Sequence, residues 1–199
     1  MTHRIQIISD ELMGADAEAA ELFSEIVLCE NPTRPVQFAI SSSVRYPLST
    51  VLSRAPYDIF GKLAERIVLG LGLHELRTVT DADAVFASYK LLLDEILSKT
   101  ASVLYLITIP KKAFPEGETE VSKFNEKVRG LDDGDRVHVL DFDSHVENFE
   151  KAQLLRGKFA RSLYDSNHNP TSLCHTLLGL FLSQRIFNSK KELENGFQR

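Results

Sequence analysis

Five short apolar runs punctuate the chain: Ile5 to Ile8, Val36 to Ile40, Ile67 to Leu73, Val103 to Ile109 and Val137 to Phe142. Each has the length of a β-strand. They are nearly continuous in hydrophobicity rather than alternating, the pattern of strands covered by helices on both faces. Between them apolar residues recur every three to four positions, as in Leu22, Phe23, Ile26 and Cys29, in Val85, Tyr89, Leu93 and Ile96, and in Val121, Phe124 and Val128. Strands alternating with helices pair in parallel, so the pattern predicts an α/β fold: a three-layer α/β/α sandwich around a five-stranded, mainly parallel sheet. With 199 residues, no internal repeat and no long linker, the chain is expected to form one domain over 1–188 and a polar tail over 189–199.

Local signals mark some of the boundaries. Thr80 or Asp81 is placed to cap the helix that carries Val85. Asn169 followed by Pro170 reads as N-cap and first residue of a last helix over Thr171 to Phe187. Pro56 and Gly61 predict that the helix after the second strand is short or broken.

Charge and cysteine content narrow the function classes. The 23 Lys and Arg against 28 Asp and Glu give a net charge of −5, with no basic run to follow a phosphate backbone, so no nucleic-acid partner is expected. Two cysteines, Cys29 and Cys174, are too few for a disulfide framework and have no zinc-site spacing. Arg4 leads almost at once into an apolar strand, and no apolar run approaches a membrane span, so a cytoplasmic protein without a membrane span is expected.

In such sheets ligands bind outside the carboxyl ends of the strands. The first strand runs into Ser9, Asp10 and Glu11, the second into Ser41, Ser42 and Ser43, and the third into His74 and Glu75. Asp165 to His168 precede the last helix. Asp141, Asp143 and His145 alternate, which on an extended segment would put them on one face, as in a metal site; strand-end polar residues give the same pattern, and no metal or cofactor is expected.

These blocks resemble the SGNH, or GDSL-type, hydrolases. Arg4 to Leu12 is similar to the family's first strand and Gly-Asp-Ser-Leu block, Ile67 to Leu76 to its third strand and Gly-x-Asn-Asp block, and Asp165-Ser-Asn-His168 to its Asp-x-x-His block. Val103 to Pro110 resembles the fourth strand, Phe124-Asn125 the Tyr-Asn pair of the helix after it, and Val137 to Phe142 the fifth strand. The order and spacing of the blocks over nearly the whole chain carry the resemblance, which implies a flavodoxin-like fold and an esterase or acylhydrolase ancestry.

The departures lie at the reacting positions. In this register Glu11 stands where the family has its nucleophilic serine, Asp10 in its Asp position and Ser9 in place of its glycine. His74 replaces the asparagine and Ser43 or Ser42 the glycine of the oxyanion hole, while Glu75 follows His74. Asp165 and His168 are retained. A serine hydrolase needs a hydroxyl for the histidine to deprotonate, and glutamate has none. Glu11 beside His168 would instead form an ion pair with it. The resemblance therefore implies a non-catalytic or altered protein that binds a small-molecule ligand or a protein partner in the old crevice. The alternative is an active esterase using a displaced serine, Ser9 or one of Ser41 to Ser43, or using Glu11 itself as a carboxylate nucleophile, with His168 and Asp165; its ligand would then be acylated or ester-bearing.

Overall fold

A computed structural model describes residues 3–33, 35–42, 46–155 and 161–187. Five strands, β1 (His3–Ser9), β2 (Val36–Ser42), β3 (Arg66–Gly70), β4 (Val103–Ile107) and β5 (Val137–Leu140), form one sheet in the order β2-β1-β3-β4-β5. Every neighbouring pair is parallel. Ile5, Ile7, Ile67, Val68, Leu104 and Leu106 are buried within it, as the continuous apolar runs require.

Among the described residues there are seven α-helices: α1 (Glu18–Glu30), α2 (Leu48–Asp58), α3 (Leu73–Val79), α4 (Ala82–Lys99), α5 (Glu118–Arg129), α6 (Phe142–Leu155) and α7 (Ser172–Ile186). Of these, α1 packs against α7, and α4 against α2, α3 and α5. The α1–α7 approach is close because Gly179 faces α1: a Cβ there would lie 3.3 Å from Leu22 Cβ and from the Phe23 nitrogen. The α1 side chains that reach the core are Phe23 and Val27 together with Ala19 and Ala20, whereas Cys29 is exposed. The spacing had put Cys29 on the inner face; the core side of α1 carries Ala19, Ala20, Phe23 and Val27 instead, and Leu22, Phe23 and Ala19 meet α7 at Gly179.

Several boundaries differ from expectation. Strand β3 ends at Gly70, three residues early, because Gly72 adopts φ 117° and starts α3. A Cβ on Gly72 would lie 2.8 Å from Phe124 Cζ, so only glycine fits this turn. His74 and Glu75 consequently sit in the first turn of a helix instead of a loop. Helix α2 continues through Pro56 to Asp58 and is followed by a 3-10 turn, Phe60–Lys62. The last helix starts at Ser172, not Pro170: Pro170 pairs with Tyr164 in an antiparallel bridge, and the Thr171 amide donates to the Leu163 carbonyl, which closes the preceding loop before the helix begins. Asp81 caps α4 as expected, accepting from the amides of Asp83 and Ala84. The tail over 189–199 lies outside the described residues.

Candidate functional site

In the strand order β2-β1-β3-β4-β5 the chain reverses direction across the sheet at β1 and β3, so the crevice of this topology opens beyond their carboxyl ends. The residues that follow these two strands are held together by one buried carboxylate. Asp10 accepts from the Leu12 amide at 2.9 Å through one oxygen, and from the amides of Gly72 at 2.8 Å and His74 at 3.2 Å through the other. It caps the 3-10 turn Glu11–Met13 and ties that turn to the start of α3. Burial pushes the Asp10 carboxyl up to about 6, against the pull of the three N–H groups.

Glu11 is thereby aimed across the crevice at α3. Its Oε2 accepts from Arg77 Nη1 at 2.7 Å and its Oε1 lies 3.3 Å from His74 Nδ1. Arg77 goes further: Nη2 donates to the Ala113 carbonyl at 2.6 Å and to the His168 carbonyl at 2.9 Å. One guanidinium therefore joins the β1 turn, the loop after β4 and the Asp165–His168 loop. The Glu11 and Arg77 side chains are 24% and 21% exposed, sheltered enough for charged hydrogen bonds to count.

The expected Glu11–His168 ion pair is not among the contacts of the described residues, because Arg77 takes the carboxylate. The His168 imidazole is 40% exposed, and the nearest acid to it is Glu116, whose Oε1 lies 3.8 Å from Nε2, beyond hydrogen-bond range. Asp165 does not orient it either. Asp165 Oδ1 accepts from the amides of Asn167 at 2.8 Å and Asn169 at 2.9 Å, and its other oxygen lies 3.4 Å from Asn169 Nδ2. These amides hold the Asp165 carboxyl below its usual range. The loop turns on His168, which adopts φ 60°. Asp165 thus organises a turn instead of an acid–imidazole dyad.

The other sequence-derived site residues fall in different surroundings. Ser9 is fully buried, which removes it as a hydroxyl nucleophile open to substrate. Glu75 accepts from the Leu48 amide at 2.6 Å, supplying the N-terminal cap that Pro47 cannot give α2. Ser41 and Ser42 line a separate cavity on the β2 side, and Ser43 lies outside the described residues. The Asp141, Asp143 and His145 triplet is not an extended face, since α6 begins at Phe142. Both acids bind Arg129, Asp141 in a two-pronged pair at 2.8 and 3.0 Å and Asp143 at 3.2 Å, and the His145 ring packs at a tilt against Phe181. Burial opposes ionisation of Asp141, but Arg129, Ser144 and Thr108 hold it at about 2. Among the described residues no group of three or more His, Cys, Asp or Glu is placed to hold a metal ion, and no helix is long and apolar enough to cross a membrane.

Sequence reasoning missed Arg77. It lies three residues after His74 on a helix, hence on the same face, but α3 was itself unforeseen. Asn125 was foreseen as part of the Phe124-Asn125 pair. It is fully buried and clamps the loop after β4 to α5, accepting from the Ile109 amide at 2.9 Å and donating to the Ile109 carbonyl at 2.7 Å.

The sequence matches no protein-family model and no curated protein. Solved structures are similar throughout its length. An acetyl xylan esterase, AlAXEase, superposes with a TM-score of 0.75 at 14% identity over 92% of this chain and 100% of that one. A lipolytic protein of the G-D-S-L family from Veillonella parvula gives a TM-score of 0.73 at 14% identity, covering 94% and 100%. A lipase/acylhydrolase from Enterococcus faecalis gives 0.72 at 13% identity, covering 93% and 95%.

Proposed function

We propose that this chain, which has the fold of the SGNH hydrolases, no longer hydrolyses esters and acts by binding a ligand or partner at the carboxyl edge of its sheet. The single observation that carries this reading is the Glu11–Arg77 ion pair at 2.7 Å, with the same guanidinium hydrogen-bonded to the carbonyl of His168. At the place where the resemblance puts a nucleophilic hydroxyl, a carboxylate is neutralised by a cation. Nucleophilic attack by Glu11 would require it to give up that ion pair, and the charge would stabilise the ground state more than the ester-forming transition state.

Two further features support the same conclusion. General-base catalysis by His168 needs an orienting acid, and the Asp165 carboxylate is occupied by backbone amides of its own turn. An oxyanion hole needs neutral donors aimed at a developing charge, whereas His74 Nδ1 faces the Glu11 carboxylate. Arg77 has converted the crevice into a clasp that holds three loops in place. The esterase and lipase activities of similar structures belong to those proteins; for this chain they indicate ancestry.

The test is covalent. The purified protein is exposed to a fluorophosphonate serine probe and, separately, to an activated acetyl ester with acid quenching, and peptides are mapped by mass spectrometry. No adduct is expected. A labelled peptide carrying Ser41 to Ser43, or an acyl group trapped on Glu11, would return the protein to the enzymes.

A further inference from the structure

The cavity beside the clasp has its own chemistry. It holds about 240 Å³ and lies between the carboxyl end of β2 and helix α2. Its polar wall consists of the hydroxyl residues Ser41, Ser42 and Thr50 and the pair formed by Arg54 and Asp58, Nε to Oδ2 at 2.8 Å. No hydrogen bond among the described residues uses any of those three hydroxyls, each of which can both donate and accept. Ile8, Val51 and Ile59 supply an apolar floor. Tyr46 stands at the rim, half exposed, with its ring centroid 5.9 Å from the Arg54 guanidinium carbon.

A second observation comes from the sheet. Gln6 is fully buried in the middle of β1, two residues before Ile8 and so on the same face. Its Nε2 donates to the Asp58 carbonyl, and its Oε1 has no hydrogen-bond partner among the described residues. Gln6 thereby ties the middle of β1 to Asp58, a residue of the cavity wall.

These features select a ligand class. Arg54 and Asp58 cancel, so the cavity has no net charge with which to favour an anion or a cation. A short acyl chain would cover the hydroxyls and leave them unpaired, at about 1–3 kcal/mol for each group shut off from water. A compact ring with hydroxyls around its edge and C–H groups on its face would satisfy the hydroxyls, the carboxylate and the guanidinium, and would lay its apolar face on the isoleucines and Tyr46. We infer that the cavity between β2 and α2 is a binding site for a neutral polyhydroxylated ring, a monosaccharide or cyclic polyol, recognised by Thr50, Ser41 and Ser42 and the Arg54–Asp58 pair. The inference gives a ligand to the binding role proposed above and rests on that reading, but uses none of the residues of the clasp.

Amide chemical shifts of the full chain are followed on adding glucose, galactose, mannose, xylose, N-acetylglucosamine and myo-inositol, with butyrate and inorganic phosphate as comparisons. At least one of the ring compounds is expected to bind with millimolar affinity and to shift amides of residues 41–42 and 50–59. Thr50→Val and Arg54→Gln, whose spectra report their folding directly, are each expected to weaken that binding about tenfold. The inference is overturned if no ring compound shifts these amides, if butyrate or phosphate binds there instead, or if binding survives both substitutions. His168-dependent ester turnover would defeat the functional reading through a different assay, without altering these shifts.

Discussion

Replacing Arg77 by methionine tests the clasp where its energy is concentrated. The substitution keeps most of the aliphatic stem and removes the guanidinium, so the hydrogen bonds to Glu11, Ala113 and His168 are lost together. Hydrogen bonds to a charged group contribute about 1.5–3 kcal/mol each when sheltered. Because both side chains of the ion pair keep roughly a quarter of their surface in water, Glu11 can rehydrate in part, and it retains His74. The net cost is accordingly about 2–3 kcal/mol, well short of the simple sum. For a chain of this length that lowers the melting temperature by about 5–10 °C. Urea unfolding of wild type, Arg77→Met, Glu11→Gln and the double variant closes a thermodynamic cycle, and the Glu11–Arg77 coupling should be about 1–2 kcal/mol. The remainder belongs to the two carbonyls. A total cost under about 0.5 kcal/mol with no coupling would refute the idea that one guanidinium holds the three loops together.

Further outcomes follow from the residues around it. The Asp10 carboxyl titrates near 6 in the folded chain against an ordinary 3.8, so the stability it contributes is complete below about pH 4 and is lost as the pH rises through about 6, amounting to about 3 kcal/mol; urea midpoints at pH 4 and 7 should show that fall in the wild type and not in Asp10→Asn, and an equal pH dependence in both would contradict it. Gly72→Ala must place a Cβ against Phe124 at φ 117°, and chemical denaturation should register a loss of about 2–4 kcal/mol; a neutral result would mean that the turn adapts freely. Glu75→Ala removes the acceptor for the Leu48 amide, with an expected cost of about 1 kcal/mol and faster hydrogen exchange in the first turn of α2, whereas unchanged exchange there would count against the cap.

The layer architecture was readable because burial on both faces forces long apolar runs, and the runs at Ile5, Ile67 and Val103 have no other simple use. What the runs do not encode is where they stop. Leu71 and Leu73 are as apolar as Leu69, and only the backbone freedom of Gly72, needed to avoid Phe124, ends the strand and starts a helix. That one misplaced boundary hid α3 and with it Arg77. That Glu11 and His74 both lie at the carboxyl edge of the sheet was legible, since each follows a strand; their 3.3 Å approach was not. The fate of Glu11 was not: which cation reaches a carboxylate depends on helix rotation and side-chain length, and the block pattern suggested His168 where the structure has Arg77. The roles of Asp165 and Glu75 were hidden for a similar reason, as backbone amides compete for carboxylates and leave no mark on residue spacing.

The most direct measurement is steady-state turnover of a short activated acyl ester, such as p-nitrophenyl acetate, by the purified wild-type protein and by His168→Ala. A carboxylate locked to Arg77, with an imidazole that Asp165 does not orient, predicts that the two rates are equal and no higher than expected from nonspecific surface groups. A wild-type rate that is saturable and falls a hundredfold or so on removing the imidazole would contradict the account.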